Sequence, residues 1–246
     1  YEWNMCLDIY RSMVFKNREL GKEVMLPVGW YSLVDEEGEI TRMLIFENQM
    51  EGLLKMMKDK LRTAFIERFS SNPVFYASAG RINLIGEHTD YNGGFVFPGA
   101  IDKYIMTAIN INGTDKVRLY SVDMNQYTEF GLREEDKPAE QWACYVFGVC
   151  REVIKRGFEV KGFDAVFAGD VPLGAGLSSS AALESCFAYA LNDLFNDNKI
   201  SIFELALIGQ STEHNYCGVN CGIMDQFASV FGKKDCLMRL DCRSLE

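Results

Sequence analysis

The chain reads as an α+β domain, and three observations carry that class. Short apolar runs with strand composition are spread over residues 74–168. Two adjacent stretches after residue 177 have the composition and spacing of paired helices. At 246 residues and 48% hydrophobic content, the chain suffices for a core in one large domain or two small ones.

Residues 1–49 differ from the rest, and no chemistry can be named in them. Runs 31–34 and 40–47 are strand-like and flank Asp-Glu-Glu-Gly-Glu, a hairpin turn signal. From about Met50 the period changes: Leu53, Leu54, Met57, Leu61, Ala64, Phe65 and Phe69 recur at the spacing of an amphipathic helix. Ser70-Ser71-Asn72-Pro73 ends it. Residues 74–77 read as a strand leading into a crowded polar stretch. Runs 95–97, 104–111 and 116–122 read as further strands, with Asn112-Gly113 a turn signal between the last two. A charged loop covers 129–140, helical spacing 142–156 and a strand 162–168. Gly and Pro mark 169–176 as a loop, which runs into a largely buried helix over 178–195. A second helix spans 201–216, with Ser201 as N-cap and Glu204 completing a capping box. Residues 225–231 read as helix and 236–240 as strand.

The formal net charge of −10 argues against nucleic-acid and anionic-membrane partners and suits a small-molecule enzyme. It leaves room for phosphate ligands, which backbone N–H groups and a few local cations can hold. The eight cysteines are scattered, with no CxxC pair and no zinc-like spacing, as expected of reduced thiols in a cytoplasmic protein. No signal peptide and no membrane span is expected.

Three stretches carry chemistry. Gly80-Arg81-Ile82-Asn83-Leu84-Ile85-Gly86-Glu87-His88-Thr89-Asp90-Tyr91-Asn92 crowds polar groups around a short apolar core of Ile82, Leu84 and Ile85. Such a cluster can hydrogen-bond a polyhydroxylated ligand from several sides. Pro172-Leu173-Gly174-Ala175-Gly176-Leu177-Ser178-Ser179-Ser180-Ala181-Ala182 is a glycine loop with three hydroxyls, opening onto a helix N-terminus. That combination suits phosphate, although a Ser N-cap after a flexible turn reads the same way. No Gly-Lys-Ser/Thr follows, so this is not a Walker A loop. Mg2+ would need a hydroxyl and a carboxylate, the latter from Asp170 or Glu213. Gly218-Val219-Asn220-Cys221-Gly222-Ile223-Met224-Asp225-Gln226 brackets a tight loop and ends on an acidic residue. Asp225 is either a helix-terminal carboxylate favoured by the macrodipole or a group that orients or deprotonates an attacking hydroxyl.

Together these residues resemble a known family. The first stretch looks like the galactokinase signature, the second resembles the ATP loop of the GHMP kinase superfamily, and the third is similar to the galactokinase segment holding the catalytic aspartate. The resemblance covers roughly residues 50–246. It implies the α+β fold of a GHMP-kinase N-terminal domain (ribosomal protein S5 domain 2-like) and ATP-dependent phosphorylation of α-D-galactose at O1, with ATP and Mg2+ required. On the family pattern, Glu87, His88, Thr89 and Asp90 would hold the sugar, with Gly222 approaching it through its backbone. Asp225 would be the base or orienting acceptor, and Arg81 would keep it ionised and stabilise charge in transfer. Gly174, Ala175, Gly176, Leu177, Ser178, Ser179 and Ser180 would wrap the phosphates, and Ser180 and Glu213 would hold the metal.

The chain departs from the family in two places. Ala79 stands where the family usually has Pro, which would leave the approach to Arg81 looser. The family's second domain, with its own glycine-rich motif and a sugar-holding tyrosine, has no counterpart in 1–246. The expectation is therefore a 1–49 extension followed by an N-terminal domain over 50–246 that alone binds weakly and turns over slowly or not at all, with apolar surface exposed. Rival readings are a kinase for N-acetylgalactosamine or L-arabinose, a non-catalytic galactose and ATP sensor, and an interaction fragment. The intact Ser178-Ser179-Ser180-Ala181 favours an enzyme lineage over the sensor. The oligomeric state is not legible.

Overall fold

The computed structural model describes residues 43–172, 174–233 and 236–245, with side chains from residue 55 onward. Contacts divide the chain into Tyr1–Gly52 and Leu53–Glu246. Five helices and seven strands are described: α1 (Met43–Phe69), β1 (Val74–Asn83), β2 (Phe95–Val96), β3 (Pro98–Ile111), β4 (Val117–Ser121), β5 (Gln126–Phe130), α2 (Gln141–Lys155), β6 (Phe163–Gly169), α3 (Ser179–Asn196), α4 (Ile202–Thr212), α5 (Met224–Phe231) and β7 (Leu240–Asp241). The class is the expected α+β: one mixed sheet with helices on both faces.

The sheet order is β1-β3-β6-β4-β5. All neighbours run antiparallel except β4 and β6, which are parallel. Alternation along β6 explains the two layers. Phe163, Ala165 and Phe167 face the larger core, shared with Phe147 of α2, Phe187 of α3 and Ile208 of α4. Val166 and Ala168 face the other side, where Leu61 and Phe65 of α1 are fully buried against Met106, Ala108 and Tyr120. A side chain of that size contributes about 1.5–3 kcal/mol when fully buried, so these two account for much of the docking of α1. A third cluster joins Val96, Ala206, Met224, Phe227 and Leu240 and seats α5 next to the β2–β7 pair.

Several expectations are corrected. Residues 43–47, expected in a strand, lie in α1; only the lone Gly52 separates the apolar run from the helix that follows, and a helix interior accommodates one glycine at a cost of about 1 kcal/mol. The rest of the expected hairpin lies outside the described residues. β5 falls inside or beside the stretch expected as a charged loop: Thr128 and Phe130 point inward while Tyr127 and Glu129 face out, the pattern of an edge strand. The Asn112-Gly113 turn forms, but β6 lies between the strands it connects. Of the expected 236–240 strand only Leu240 pairs, and together with Asp241 it forms β7 against β2.

The expected helix over 201–216 ends as α-helix at Thr212 and continues as a π turn, Glu213–Cys217. Its capping box is half made. Ser201 Oγ accepts from Glu204 N at 3.2 Å, but the Glu204 carboxylate is taken by Arg156 Nε at 2.5 Å. Ser201→Ala is therefore expected to cost about 1 kcal/mol, read as a lower urea midpoint at unchanged slope. The seven described cysteines are free thiols, and Cys6 lies outside the described residues. Among the described residues no helix is long and apolar enough to cross a membrane.

Candidate active site

The site begins at a defect in the sheet. The β1–β3 register shifts between Ala79 and Arg81. A bulge of this kind re-aims the side chain that follows it. Arg81 N donates to Leu177 O at 3.1 Å, so β1 leans on the glycine–serine loop here. The Arg81 side chain is buried and turns to two partners: Nε donates to Asp225 Oδ1 at 2.6 Å and Nη1 to Gly176 O at 2.5 Å. The other Asp225 oxygen, Oδ2, accepts from Ser178 Oγ at 2.5 Å. One residue from each sequence motif thus converges on one carboxylate. The Asp225 side chain keeps 26% of its surface open to solvent, so a hydroxyl can reach it.

Gly174 and Gly176 both have φ near +70°, a conformation glycine adopts freely, and both are exposed with open space where a side chain would be. Ala175 between them is exposed, Leu177 is half-buried, and Leu173 lies outside the described residues. Ser178 precedes α3 in the left-handed region at φ 57° and makes no side-chain cap; its hydroxyl is on Asp225 instead. The reading of Ser178 as a simple N-cap therefore fails, and the first turn of α3, with Ser179 and Ser180, keeps uncapped N–H groups beside the loop.

The polar stretch after β1 is a set of turns. Glu87 and His88 are exposed. Glu87 Oε1 accepts from Asn83 Nδ2 at 3.0 Å, and His88 Nδ1 lies 2.5 Å from Tyr91 OH. Thr89 Oγ1 lies 2.6 Å from Phe95 O and 3.1 Å from Gly86 O, fastening the loop rather than facing outward for a ligand. Thr89→Val should lower stability by about 1 kcal/mol, measured by thermal melting. Of the expected apolar core, only Ile82 is buried; Leu84 and Ile85 are exposed.

Asp90 has a task that was not legible in the sequence. Its Oδ1 accepts from Ile223 N at 2.8 Å and Met224 N at 3.1 Å, capping α5 from 133 residues away, and from Cys242 Sγ at 3.4 Å. Burial and the Asp90 carboxylate push the Cys242 thiol up to about 12. Gly222 makes the approach feasible, since a Cβ there would lie 2.0 Å from the Asp90 carboxylate.

Of the two carboxylates considered for a metal, Asp170 is engaged structurally: it accepts from Tyr104 N at 2.6 Å and pairs with Lys103 at 3.2 Å. Glu213 is buried in the π turn. Near it is fully buried Glu184, one helical turn beyond Ser180 on α3. Burial, reinforced by Glu213 and Asp225, pushes the Glu184 carboxyl well above the usual carboxylate range. His214 has Nε2 2.8 Å from Cys221 O and ties down the loop before Asp225. Among the described residues no cluster of three or more His, Cys, Asp or Glu side chains forms a metal cage.

Residues 144–233 match the family model for the GHMP kinases N terminal domain, and residues 63–111 match the galactokinase galactose-binding signature. A galactokinase from Clostridium tetani is 40% identical over 190 residues, covering 76% of this chain and 48% of that protein. One from Thermosipho africanus is 45% identical over 167 residues, covering 68% and 46%. A crystal structure of Lactococcus lactis galactokinase complexed with galactose superposes with a TM-score of 0.71 at 40% identity, covering 76% of this chain and 50% of that one. Methanococcus jannaschii mevalonate kinase, at 18% identity and a TM-score of 0.59, shares the fold. Fold and site therefore define a GHMP-kinase N-terminal domain. Within that class, residues 63–111 carry the galactokinase galactose-binding signature, and the curated relatives named above are galactokinases. It spans about half the length of the curated relatives it matches.

Proposed function

We propose that the protein takes part in ATP-dependent phosphorylation of galactose at O1, yielding galactose 1-phosphate and ADP. The observation that carries this reading is the junction at Asp225, where the polar stretch supplies Arg81, the glycine–serine loop supplies Ser178 and Gly176, and α5 supplies the carboxylate. Asp225 accepts or orients the proton of the sugar hydroxyl. Arg81, 2.6 Å from that carboxylate, fixes its position and lends positive charge as phosphate charge moves toward the acceptor. Glu87, His88 and Asp90 line the acceptor side, with Thr89 and Gly222 fixing where Asp90 stands. Residues 174–180 and the uncapped first turn of α3 receive the phosphates.

Mg2+ fits the chemistry of the donors at hand. Ser180 offers a hydroxyl at the start of α3 and Glu213 a buried carboxylate next to the same helix. One hydroxyl and one carboxylate, completed by waters and phosphate oxygens, is a donor set this hard cation accepts. When bound, it would neutralise charge on the nucleotide phosphates.

A coupled ADP-release assay over a panel of galactose, N-acetylgalactosamine and L-arabinose tests the reading. Galactose-dependent ADP release is expected, abolished by EDTA and restored by Mg2+. Release with another sugar alone, or galactose and ATP binding by calorimetry without ADP formation, would replace it with a rival.

A further inference from the structure

The kinase reading uses Asp225, Arg81 and Ser178 but leaves unexplained a pair of fully buried polar side chains directly behind them. Glu184 of α3 and Gln226 of α5 are both completely inaccessible to solvent. Gln226 Nε2 donates to Glu184 Oε2 at 3.3 Å and lies 3.9 Å from Cys221 Sγ. The remaining oxygen of each, Glu184 Oε1 and Gln226 Oε1, is buried without a hydrogen-bond partner. Gly209 of α4 leaves the space for them: a Cβ there would lie 2.8 Å from Gln226 Cγ and 3.2 Å from Glu184 Oε2. An apolar pair of the same size would avoid the desolvation of two amide or carboxyl groups, so stability alone does not account for this arrangement.

Its position does. Side chains tie Asp225 to Ser178, the residue before α3, and Gln226 to Glu184 of α3, and these α5 partners are consecutive residues; Tyr189 of α3 also donates to Val230 O at 3.1 Å, further along α5. Asp90, apolar packing and Tyr189 seat α5 as a whole, while Ser178 alone would tie the turn carrying Asp225 to the start of α3 and leave that turn some rotation about the helix axis, enough to shift Asp225 against Arg81. A second tie one residue on removes that freedom. We propose that Glu184 and Gln226 are positioning residues whose hydrogen bond sets the rotation of α5, and thereby the Arg81–Asp225–Ser178 geometry.

The proposal takes its meaning from the kinase reading, but its test does not depend on it. Solvent exchange of the Arg81 Nε–H proton, followed by NMR on the 246-residue chain, reports the bond to Asp225 without sugar or ATP. In Glu184→Met, which keeps the volume and removes the acceptor, that exchange should quicken about tenfold, the loss of roughly one hydrogen bond. The backbone amides of Ala165 and Val166 in β6 should be unchanged. Glu184→Gln keeps an acceptor for Gln226 and should stay within about twofold of wild type. If Glu184→Met does not fold, Gln226→Met makes the same cut from the other helix. The idea is overturned if Arg81 exchange is unchanged, or if the β6 amides quicken by the same factor. It also fails if Glu184→Gln behaves like the methionine variant, or if neither methionine variant folds.

Discussion

Asp225→Asn is expected to lower kcat for galactose phosphorylation by about 10²–10⁴-fold, the usual contribution of a positioned general base, with ATP affinity within about twofold of wild type. The amide retains the shape and can still accept from Arg81 or Ser178 through its single oxygen, so the fold should survive. It loses the charge that draws the hydroxyl proton and offsets the buried Arg81 guanidinium. The split between an unchanged nucleotide Kd and a collapsed kcat separates a role in the transition state from one in binding. Steady-state ADP release and calorimetry with ATP, run in parallel on wild type and variant, supply both numbers. Turnover within tenfold of wild type would remove Asp225 from the base role.

Gly222→Ala is expected to be nearly as severe for a different reason. The new methyl would sit 2.0 Å from the Asp90 carboxylate, so Asp90 must leave. Its departure breaks the bonds to Ile223 N and Met224 N. Hydrogen bonds to a charged group are worth about 1.5–3 kcal/mol each, so a net loss of about 3 kcal/mol in unfolding free energy is expected after partial rehydration. The N-terminus of α5, which carries Asp225, loosens with it. Urea unfolding measures the stability, and galactose binding should fall in the same variant. An unchanged urea midpoint would show that Asp90 and Gly222 do not make this contact.

Much of this was legible before the structure, in proportion to how local the physics is. The step pattern of Leu61 and Phe65 identified α1 because one helical face must find one core. Arg81, Ser178 and Asp225 were each legible within a motif with its chemical types, and the resemblance set Arg81 beside Asp225. The bond between Ser178 and Asp225 was not, since a serine before a helix ordinarily caps it. β5 was missed because an edge strand keeps only its inward residues apolar, and Glu129 faces out to meet Lys116 at 2.6 Å. Asp90 as the distant cap of α5 and Glu184 as partner of Gln226 were illegible for a common reason. Both pairs join residues remote in sequence, and only the packed helices bring them together. A lone glutamate within the Ala-Leu-Glu-Ser-Cys-Phe-Ala run of α3 was the one visible hint.

The register shift that turns Arg81 inward also bears on how the protein is assembled. Arg81 and Asp225 are separated by 144 positions, and α2, α3 and α4 lie between them in chain order. Contacts that close so long a loop form late, after the local helices and the β1–β3 pairing. A refolding chain that has built its sheet but not yet seated α5 therefore has no assembled site at all. Recovery of sugar binding should lag recovery of helical circular dichroism, and the lag should lengthen in variants that weaken the seat of α5.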